Sequence, residues 1–355
     1  MKHVLILFGG VSSEHEVSLR SAAAVIRNVD RTRWDVSALG ITKDGRWLLY
    51  TGDTEKIEDG SWLSDTACQT PAVLSPDRSV HGITILRESG CENVRVDVVF
   101  PVLHGKNGED GTMQGFLQLA GIPFVGCDAL SSAMGMDKAV SNTIADHIGV
   151  PQAKWLAVRR AEYAADPDAF RAKCADTLGY PLFVKPANAG SSVGVTKVCA
   201  PEELDSAMQI GFAQDDKLVL EEGIDGRELE CAVIGNDEPL APMVGEIVPC
   251  NDFYDYEAKY IAEDSEIQIP ARVPDEAADT VRALARRIYT ALGCTGLSRV
   301  DFFLRRRDGK VLFNEINTIP GFTSISMYSK MLMAADMTYG EIVDRLLELA
   351  MEKWS

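Results

Sequence analysis

Ser298-Arg-Val-Asp-Phe-Phe-Leu304 and Val311-Leu-Phe-Asn-Glu-Ile-Asn317 together predict a β-hairpin in the last fifth of the chain. Both stretches mix β-branched and aromatic residues, and Arg307-Asp308-Gly309 between them is typical of a turn. A three-residue loop with its glycine in the left-handed region would pair Arg306 with Lys310. This loop length sets the register of everything that precedes it in the hairpin.

At constant register Asp301 lies opposite Glu315 and Arg299 lies opposite Asn317, with all four side chains on one face of the sheet. Two carboxylates and an amide oxygen are ligands that Mg²⁺ accepts beside substrate phosphates. A solvated face with cross-strand ion pairs is the alternative. The Gly- and hydroxyl-rich loop Thr318–Ser326 follows directly and favours a functional site, because such loops often carry function.

Composition sets outer limits on the kind of protein. With 355 residues, two or three domains are expected, and 46% apolar and 25% charged residues are ordinary for a globular chain. A net charge of −18 disfavours nucleic-acid backbones and anionic membranes as partners. The eight cysteines are scattered, which favours buried reduced thiols over disulfides or zinc. The short apolar N-terminus predicts a buried strand, and we expect a cytoplasmic protein.

The N-terminal stretch predicts the first strand–helix unit of a doubly wound α/β sheet. Val4–Phe8 is a continuous apolar run, as in a parallel strand covered on both faces. Gly9-Gly10 ends it, and Ser13 with Glu16 has the spacing of a capping box that opens a helix. Glu14 in this elbow has two possible roles: stabilising the helix dipole or binding an ammonium group.

A second buried strand ends at His104 and leads into the glycine-rich loop Gly105–Gly111. Ligands bind beyond the carboxyl ends of parallel strands, so His104 is a candidate site residue, although a lone histidine is also common as a structural one. Residues 51–95 are polar and turn-rich, and we interpret them as a peripheral elaboration with no chemistry.

The middle of the chain carries the pattern of a phosphate-binding hairpin. One helix is predicted from about residue 131 to 147, followed by a strand with Lys185 and the Gly/Ser loop 187–195. Backbone N–H groups of such a loop can cover phosphates, although a Gly/Ser run alone is more often a mobile turn. Glu221 lies at the end of the next predicted strand, and Glu228 lies at the start of the one after it. Their carboxylates can accept hydrogen bonds from the ribose hydroxyls and the adenine amine of ATP, or they can remain solvated charges at the edge of the sheet.

Together these motifs resemble the ATP-grasp superfamily and, within it, the D-alanine–D-alanine ligase family over almost the whole chain. The motifs are Gly9-Gly-Val-Ser-Ser-Glu-His-Glu-Val-Ser, Leu103-His-Gly-Lys-Asn-Gly-Glu-Asp-Gly, Met136-Asp-Lys, Val184-Lys-Pro, Gly190-Ser-Ser-Val-Gly, Phe253-Tyr-Asp-Tyr-Glu-Ala-Lys-Tyr, Arg299-Val-Asp, Asn314-Glu-Ile-Asn and Pro320-Gly-Phe-Thr-Ser. The resemblance implies an ATP-grasp fold, α+β in its ATP-binding part, behind a Rossmann-like parallel-sheet domain. The expected domains are 1–136, 137–221 and 222–355.

The chemistry that the resemblance implies is ATP-dependent joining of two D-alanines for peptidoglycan precursors. ATP phosphorylates one D-alanine carboxylate, and the amine of the second attacks the acyl phosphate. The implied metal ligands, for two Mg²⁺ with Mn²⁺ as a substitute, are Asp301, Glu315 and Asn317. The implied ATP contacts are Lys138, Lys185 and Lys259 on the phosphates, with Glu221 and Glu228 on adenine and ribose.

The resemblance also implies roles around the reacting carbonyl. Arg299 and the Gly321 N–H would stabilise the oxyanion, and His104 would lie near the acyl phosphate. Glu14 would hold the ammonium of the first substrate and would be linked through Ser191 to Tyr260. Ser326 and the backbone near Met327 would bind the carboxylate of the second substrate. Tyr260 goes with an alanine acceptor in the family, so we expect D-alanyl-D-alanine rather than a D-lactate ester. A homodimer is implied by the family alone, and a K⁺ requirement is left open.

Two further predictions concern the C-terminal third. Residues 251–266 are polar and aromatic, and we expect a lid that orders over ATP and excludes water. The segment from residue 338 onward predicts an amphipathic helix, whose apolar stripe of Ile342, Leu346, Leu347 and Met351 should pack on the C-terminal domain. The competing functions are a ligase with another acceptor, D-serine or D-lactate, and an ATP-binding module without turnover.

Overall fold

The computed structural model describes residues 1–248 and 266–354, and its N-terminal part is built on a seven-stranded sheet. The strands are β1 (Lys2–Gly9), β2 (Trp34–Ile41), β3 (Trp47–Tyr50), β4 (Gln69–Leu74), β5 (Gly82–Arg87), β6 (Gly90–Arg95) and β7 (Val98–Val102), in the order β6-β5-β4-β3-β2-β1-β7. β1 lies parallel to both β2 and β7, and Val4–Phe8 is wholly buried, so the predicted parallel centre is confirmed.

Residues 51–95 lie at one edge of the first sheet, as a peripheral elaboration would, but they also join its core, which the sequence did not predict. They supply β4, β5 and β6, which extend the sheet by antiparallel pairing beyond β3. They also bury Trp62, whose ring lies 4.9 Å from that of Phe8 near the carboxyl end of β1. A single tryptophan in a polar segment gave too weak a pattern to predict this packing.

Helices cover this sheet and lead into the next part of the chain. They are α1 (His15–Asn28), α2 (Thr54–Glu58), α3 (Thr112–Ala120), α4 (Ala129–Met136) and α5 (Lys138–His147). The predicted capping box does not form, because Glu14 occupies the position before α1 and Glu16 pairs with Lys43 instead. The single helix predicted over 131–147 is broken at Asp137, whose carboxylate caps α5 by accepting from the backbone N–H groups of Ala139 and Val140.

The second sheet is four-stranded and antiparallel, in the order β10-β9-β11-β8. Its elements are β8 (Trp155–Arg159), α6 (Arg160–Ala165), α7 (Pro167–Thr177), β9 (Leu182–Pro186), β10 (Thr196–Val198), α8 (Leu204–Phe212) and β11 (Lys217–Glu222). β9 and β10 form the predicted hairpin around the Gly/Ser loop. The turn at its tip holds Ser191 and Ser192 at positive φ, 51° and 59°.

The third sheet is also antiparallel, in the order β14-β13-β12-β15-β16. Its strands are β12 (Gly226–Gly235), β13 (Val244–Val248), β14 (Glu266–Gln268), β15 (Gly296–Arg305) and β16 (Val311–Asn317), and its helices are α9 (Asp275–Ala291), α10 (Met327–Met333) and α11 (Tyr339–Trp354). α9 packs on one face, where Val281, Ala285 and Ile288 join the core.

α11 joins the first and third sheets into one core. Ile342, Leu346 and Leu347 are fully buried in a cluster that includes residues of β1, β7 and β12. The predicted apolar stripe and its packing on the C-terminal part are therefore confirmed, and the same helix also packs on the first sheet. No helix in the described ranges is long and apolar enough to cross a membrane.

The β15–β16 hairpin reaches the predicted pairing through two departures that cancel. Arg305, not Arg306, pairs with Lys310, because the backbone N–H of Arg305 donates to the carbonyl of Lys310 at 3.0 Å. The turn is thus one residue longer than predicted, with Gly309 at φ 66° as expected. A β-bulge at Asn314 then shifts the register back by one residue, so that Arg299 faces Asn317 and Asp301 faces Glu315.

Candidate active site

A cavity of about 240 Å³ lies where the three sheets meet. It is lined by ten of the predicted site residues: Glu14, His104, Lys138, Ser191, Arg299, Glu315, Asn317, Gly321, Ser326 and Met327. Lys259, Tyr260 and nearly all of the predicted lid lie outside the described residues. The structure therefore gathers residues that are as much as three hundred positions apart around one space.

Glu14, just before α1, contacts the tip of the β9–β10 hairpin. The hydroxyl of Ser191 donates a hydrogen bond to Oε1 of Glu14, and Glu14 is only 7% exposed. Gly105 makes room for this carboxylate, because a Cβ there would lie 2.4 Å from its Oε2. A buried carboxylate that accepts a hydrogen bond from a hydroxyl group, and that lines a cavity, is suited to binding an ammonium group.

His104 is buried and ties α1 to the loop that contains Gly321. Its Nδ1 lies 3.1 Å from the Ile319 carbonyl oxygen, and its Nε2 lies 3.0 Å from Oγ of Ser21. That hydroxyl also accepts the Phe322 backbone N–H at 3.3 Å. The backbone on both sides of Gly321 is thereby held, which is what a fixed backbone donor requires.

Glu109 adds a negative charge beside this histidine, and sequence reasoning missed it. Its Oε1 lies 3.7 Å from Nδ1 of His104. Burial lowers the pKa of His104, but Glu109 and then Glu14 favour the imidazolium, and the pKa is raised overall. For Glu109, an acid, burial instead raises the pKa, because it disfavours the charged carboxylate. The position of Glu109 in the loop after a ligand-binding strand was the available signal.

Arg299, Asp301 and Asn317 form a hydrogen-bonded group on one face of β15 and β16. Arg299 contacts Asp301 in a two-point pair, Nε to Oδ1 at 2.8 Å and Nη2 to Oδ2 at 2.6 Å. The side-chain amide of Asn317 donates to Oδ2 of Asp301 at 3.0 Å. Burial lowers the pKa of Arg299, but Asp301 and Glu230 raise it well above its ordinary value.

The oxygen atoms of this face suit a divalent cation that also binds phosphates. Glu315 lies beside Asp301 in the register, and its Oε2 is 3.6 Å from Nζ of Lys138. Mg²⁺ is typically held by one or two carboxylates and completes its shell with water and substrate phosphates, so Asp301, Glu315 and the Asn317 amide oxygen fit its chemistry.

The predicted nucleotide contacts cluster beside this face. Nζ of Lys185 lies 2.6 Å from Oε2 of Glu221 and 3.4 Å from Oδ1 of Asn314. Burial lowers the pKa of Lys185, but Glu221 raises it, with smaller contributions from Glu315 and Glu228, and the net shift is upward. Lys138 donates from Nζ to the Ala189 carbonyl in the hairpin loop at 2.9 Å.

Asn314 is a second residue that sequence reasoning missed, and the bulge explains it. Phe313 and Ile316 point into the core behind the sheet, whereas Asn314 and Glu315 contact the two lysines in front of it. Regular alternation would have put one of these two on the core side. A bulge has no reliable signal in a single sequence.

Ser326 and Met327 lie at the mouth of the cavity, at the start of α10. Oγ of Ser326 accepts the backbone N–H of Thr323 at 3.1 Å, and Met327 is 7% exposed. A Cβ at Gly321 would lie 3.2 Å from Oγ of Ser326, so the glycine allows a close approach here. Ile325, which directly precedes Ser326, is 72% exposed.

The two antiparallel sheets, the β9–β10 hairpin with its Gly/Ser loop and the carboxylate face, together with similar solved structures, identify the protein as an ATP-grasp ligase. Its solved neighbours include "VanG D-Ala:D-Ser Ligase from Enterococcus faecalis", with a TM-score of 0.90 and 44% identity over 98% of this chain and 99% of that one. The "D-alanine-D-alanine ligase from Coxiella burnetii" matches with a TM-score of 0.86 and 32% identity over 100% of this chain and 96% of that one.

Sequence comparison narrows the class to a family. Family models described as "D-ala D-ala ligase N-terminus" and "D-ala D-ala ligase C-terminus" match residues 3–127 and 144–348. A "D-alanine--D-alanine ligase" of Caldicellulosiruptor bescii is 48% identical over 350 residues, which cover 99% of this chain and 95% of that protein. The chain belongs to the D-alanine–D-alanine ligase family.

Proposed function

We propose that the protein joins two D-alanine molecules into D-alanyl-D-alanine, with ATP cleaved to ADP and phosphate. The observation that carries this proposal is the contact between Glu14 and Ser191. In this contact the buried Glu14 carboxylate, which we assign to the ammonium group, lies beside the Gly/Ser loop of the second sheet, which we assign to the ATP phosphates. Arg299 of the third sheet lines the same cavity. A substrate with an ammonium group and a carboxylate that accepts phosphate fits this arrangement.

The first step transfers the γ-phosphoryl group of ATP to an oxygen of the first D-alanine carboxylate, and ADP leaves. We assign the phosphates to Lys138, Lys185 and Lys259, and the adenine and ribose to Glu221 and Glu228. Two Mg²⁺ ions, or Mn²⁺ as a substitute, would be held by Asp301, Glu315 and Asn317. When bound, these ions would neutralise negative charge on the phosphates. The protein contributes mainly positioning and charge complementarity.

In the second step the neutral amine of the second D-alanine attacks the acyl carbon, the bond between that carbon and the phosphate oxygen breaks, and the proton lost by nitrogen leaves with hydrogen phosphate. Arg299 and the Gly321 N–H stabilise the negative charge on the carbonyl oxygen, and His104 supplies positive charge near the acyl phosphate. Ser326 and the backbone near Met327 bind the carboxylate of the second substrate. Tyr260 completes the chain that begins with Glu14 and Ser191.

The finer organisation is also part of the proposal. Domains 1–136, 137–221 and 222–355 would each contain one sheet, and residues 251–266 would close over ATP. Family resemblance supports a homodimer, and dependence on ATP supports a cytoplasmic location, where the dipeptide would enter peptidoglycan precursors. D-serine is the second candidate acceptor, because a D-Ala:D-Ser ligase is among the similar structures.

The deciding experiment measures ATP-dependent phosphate release with D-alanine as the only other substrate, in Mg²⁺ and K⁺. Parallel reactions contain L-alanine, D-alanine with D-serine, and D-alanine with D-lactate. We expect release with D-alanine alone and D-alanyl-D-alanine as the product by mass spectrometry. D-alanyl-D-serine as the main product from equal acceptor concentrations would instead establish the second candidate. ATP binding without turnover of any of these amino acids would contradict both.

The pH dependence of activity is expected to report the His104–Glu109 pair. Because Glu109 and Glu14 raise the pKa of His104, its positive charge persists above the ordinary histidine pKa and is lost as pH rises through the raised value. Glu109→Gln removes one of these charges, so the alkaline limb of kcat/KM should move to lower pH. The measurement is kcat/KM against pH, together with an NMR titration of the His104 ring.

Glu92→Gln is the control for this substitution, because Glu92 is an exposed carboxylate paired with Arg87. It should leave the alkaline limb in place. A Glu109→Gln profile that coincides with that of the unsubstituted protein would contradict the assignment of the limb to His104.

A further inference from the structure

Three carboxylates form a row across the third sheet, and one of them has no role in the site as assigned above. Glu230 on β12 pairs with Asp301 on β15, which pairs with Glu315 on β16. Neighbouring strands lie about 4.8 Å apart, so directly opposed side chains on one face are close neighbours. Glu230 is 6% exposed and lines the cavity.

Arg299 is shared between two of these carboxylates. Its Nε lies 3.0 Å from Oε2 of Glu230, and its Nε and Nη2 also form the two-point pair with Asp301. Ala232 lies opposite Arg299 on β12. Its small side chain leaves the guanidinium room to lie along the sheet toward Glu230. The two carboxylates therefore hold one buried cation from neighbouring strands.

If Asp301 binds the metal, the oxygen atoms that accept hydrogen bonds from Arg299 must also coordinate the cation. Both Oδ1 and Oδ2 of Asp301 accept from Arg299, and Oδ2 also accepts from Asn317. A carboxylate oxygen that coordinates a divalent cation has less electron density to offer a guanidinium. A buried guanidinium that loses one anionic partner needs another to keep its position.

We propose that Glu230 is a positioning residue that holds Arg299 in place when Asp301 engages the metal. This inference rests on the proposed function, in which Arg299 stabilises the oxyanion. Glu230 has no assigned contact with ATP or D-alanine, and it acts through Arg299. Its signal in the sequence was alternation, because Glu228 and Glu230 fall on the same face of a strand.

The test substitutes Glu230→Gln, and the chain offers a matched control. Glu246 is a buried carboxylate that pairs with Arg227 at 2.6 and 2.5 Å. It lies opposite Leu229, whose side chain points into the core behind the sheet, so this second pair is on the face away from the cavity. Glu246→Gln removes a comparable charge from the same sheet without touching the site.

We expect Glu230→Gln to lower kcat by about tenfold to a hundredfold, the range for a misplaced catalytic group, with the KM for ATP little changed. Calorimetry should show unchanged binding of ADP with Mg²⁺. In NMR, the Arg299 Nε–Hε signal should stay protected from exchange when ADP and Mg²⁺ are added to the unsubstituted protein. That protection should be lost in Glu230→Gln. Glu246→Gln should lower thermal stability yet keep kcat and the protected signal.

Three results would overturn the inference: an unchanged kcat in Glu230→Gln, an equal loss of kcat in Glu246→Gln, or a Glu230→Gln variant whose main defect is weaker Mg²⁺ binding. The last of these would make Glu230 a metal ligand instead. If the unsubstituted protein did not ligate D-alanine, the proposed function would fail on its own. The NMR comparison would still decide whether Glu230 holds Arg299.

Discussion

Arg299→Lys is expected to lower kcat by about two to three orders of magnitude, the usual cost of removing one oxyanion donor. Lysine keeps the positive charge that Asp301 and Glu230 require, so the folded protein should persist. It loses the planar fork, however, and cannot contact both carboxylates and a substrate oxygen in fixed geometry. The KM for ATP should change little, because Arg299 is assigned to the carbonyl oxygen and not to the phosphates.

Steady-state kinetics with saturating ATP and D-alanine would check this result. Arg227→Lys is the matched control, since Arg227 makes a comparable two-point pair with Glu246 on the other face of the sheet. It should retain kcat close to that of the unsubstituted protein. If Arg299→Lys kept nearly full kcat, the oxyanion role would have to be reassigned. If both variants lost activity equally, the effect would belong to the sheet and not to the site.

Glu14→Gln is expected to lower kcat/KM for D-alanine by at least about thirtyfold. Glutamine has the same shape, and its amide oxygen can still accept a hydrogen bond from the Ser191 hydroxyl. The contact between the segment before α1 and the β9–β10 hairpin should therefore survive. The ammonium of the first D-alanine would lose its buried charge partner, which typically costs about 2–5 kcal/mol, and every 1.4 kcal/mol corresponds to tenfold. The KM for ATP should be unchanged.

Glu16→Gln on the same helix is the control for Glu14, because Glu16 is exposed and pairs with Lys43. Its kinetics should match those of the unsubstituted protein. The measurement is initial velocity across D-alanine concentrations, analysed for both the donor and the acceptor binding event. A Glu14→Gln variant with an unchanged kcat/KM for D-alanine would remove Glu14 from the substrate site and weaken the observation that carries the proposed function.

Local patterns predicted most of the strands and helices, and they failed where a distant partner was decisive. Ser13 and Glu16 have capping-box spacing, but Glu14 takes the capping position and its carboxylate goes to Ser191. The helix predicted through Asp137 breaks there, because that side chain caps α5 and pairs with Lys217. At α1 a tertiary contact replaced the local hydrogen bond that the pattern predicts, whereas the Asp137 carboxylate makes both a local cap and a tertiary ion pair.

The β15–β16 hairpin has the predicted pairing of Asp301 with Glu315, but its turn differs from the predicted one. The predicted turn was one residue short, and the bulge at Asn314 restored the pairing of Asp301 with Glu315. The bulge also brings Asn314 to Lys185, a contact that regular alternation does not predict. Alternation does predict that Glu230 shares a face with Glu228, but not that it holds Arg299.

The sequence by itself determined the parallel centre of the first sheet, the hairpin around the Gly/Ser loop, the carboxylate hairpin and the family. These features depend on local periodicity, turn residues and motif order, which are written along the chain. Only the tertiary structure decided that α11 joins the first and third sheets, that Glu14 meets Ser191, and that Glu109 and Glu230 belong to the site. Those contacts join residues far apart in the chain, and their energies come from burial and charge pairing, which a local pattern does not contain.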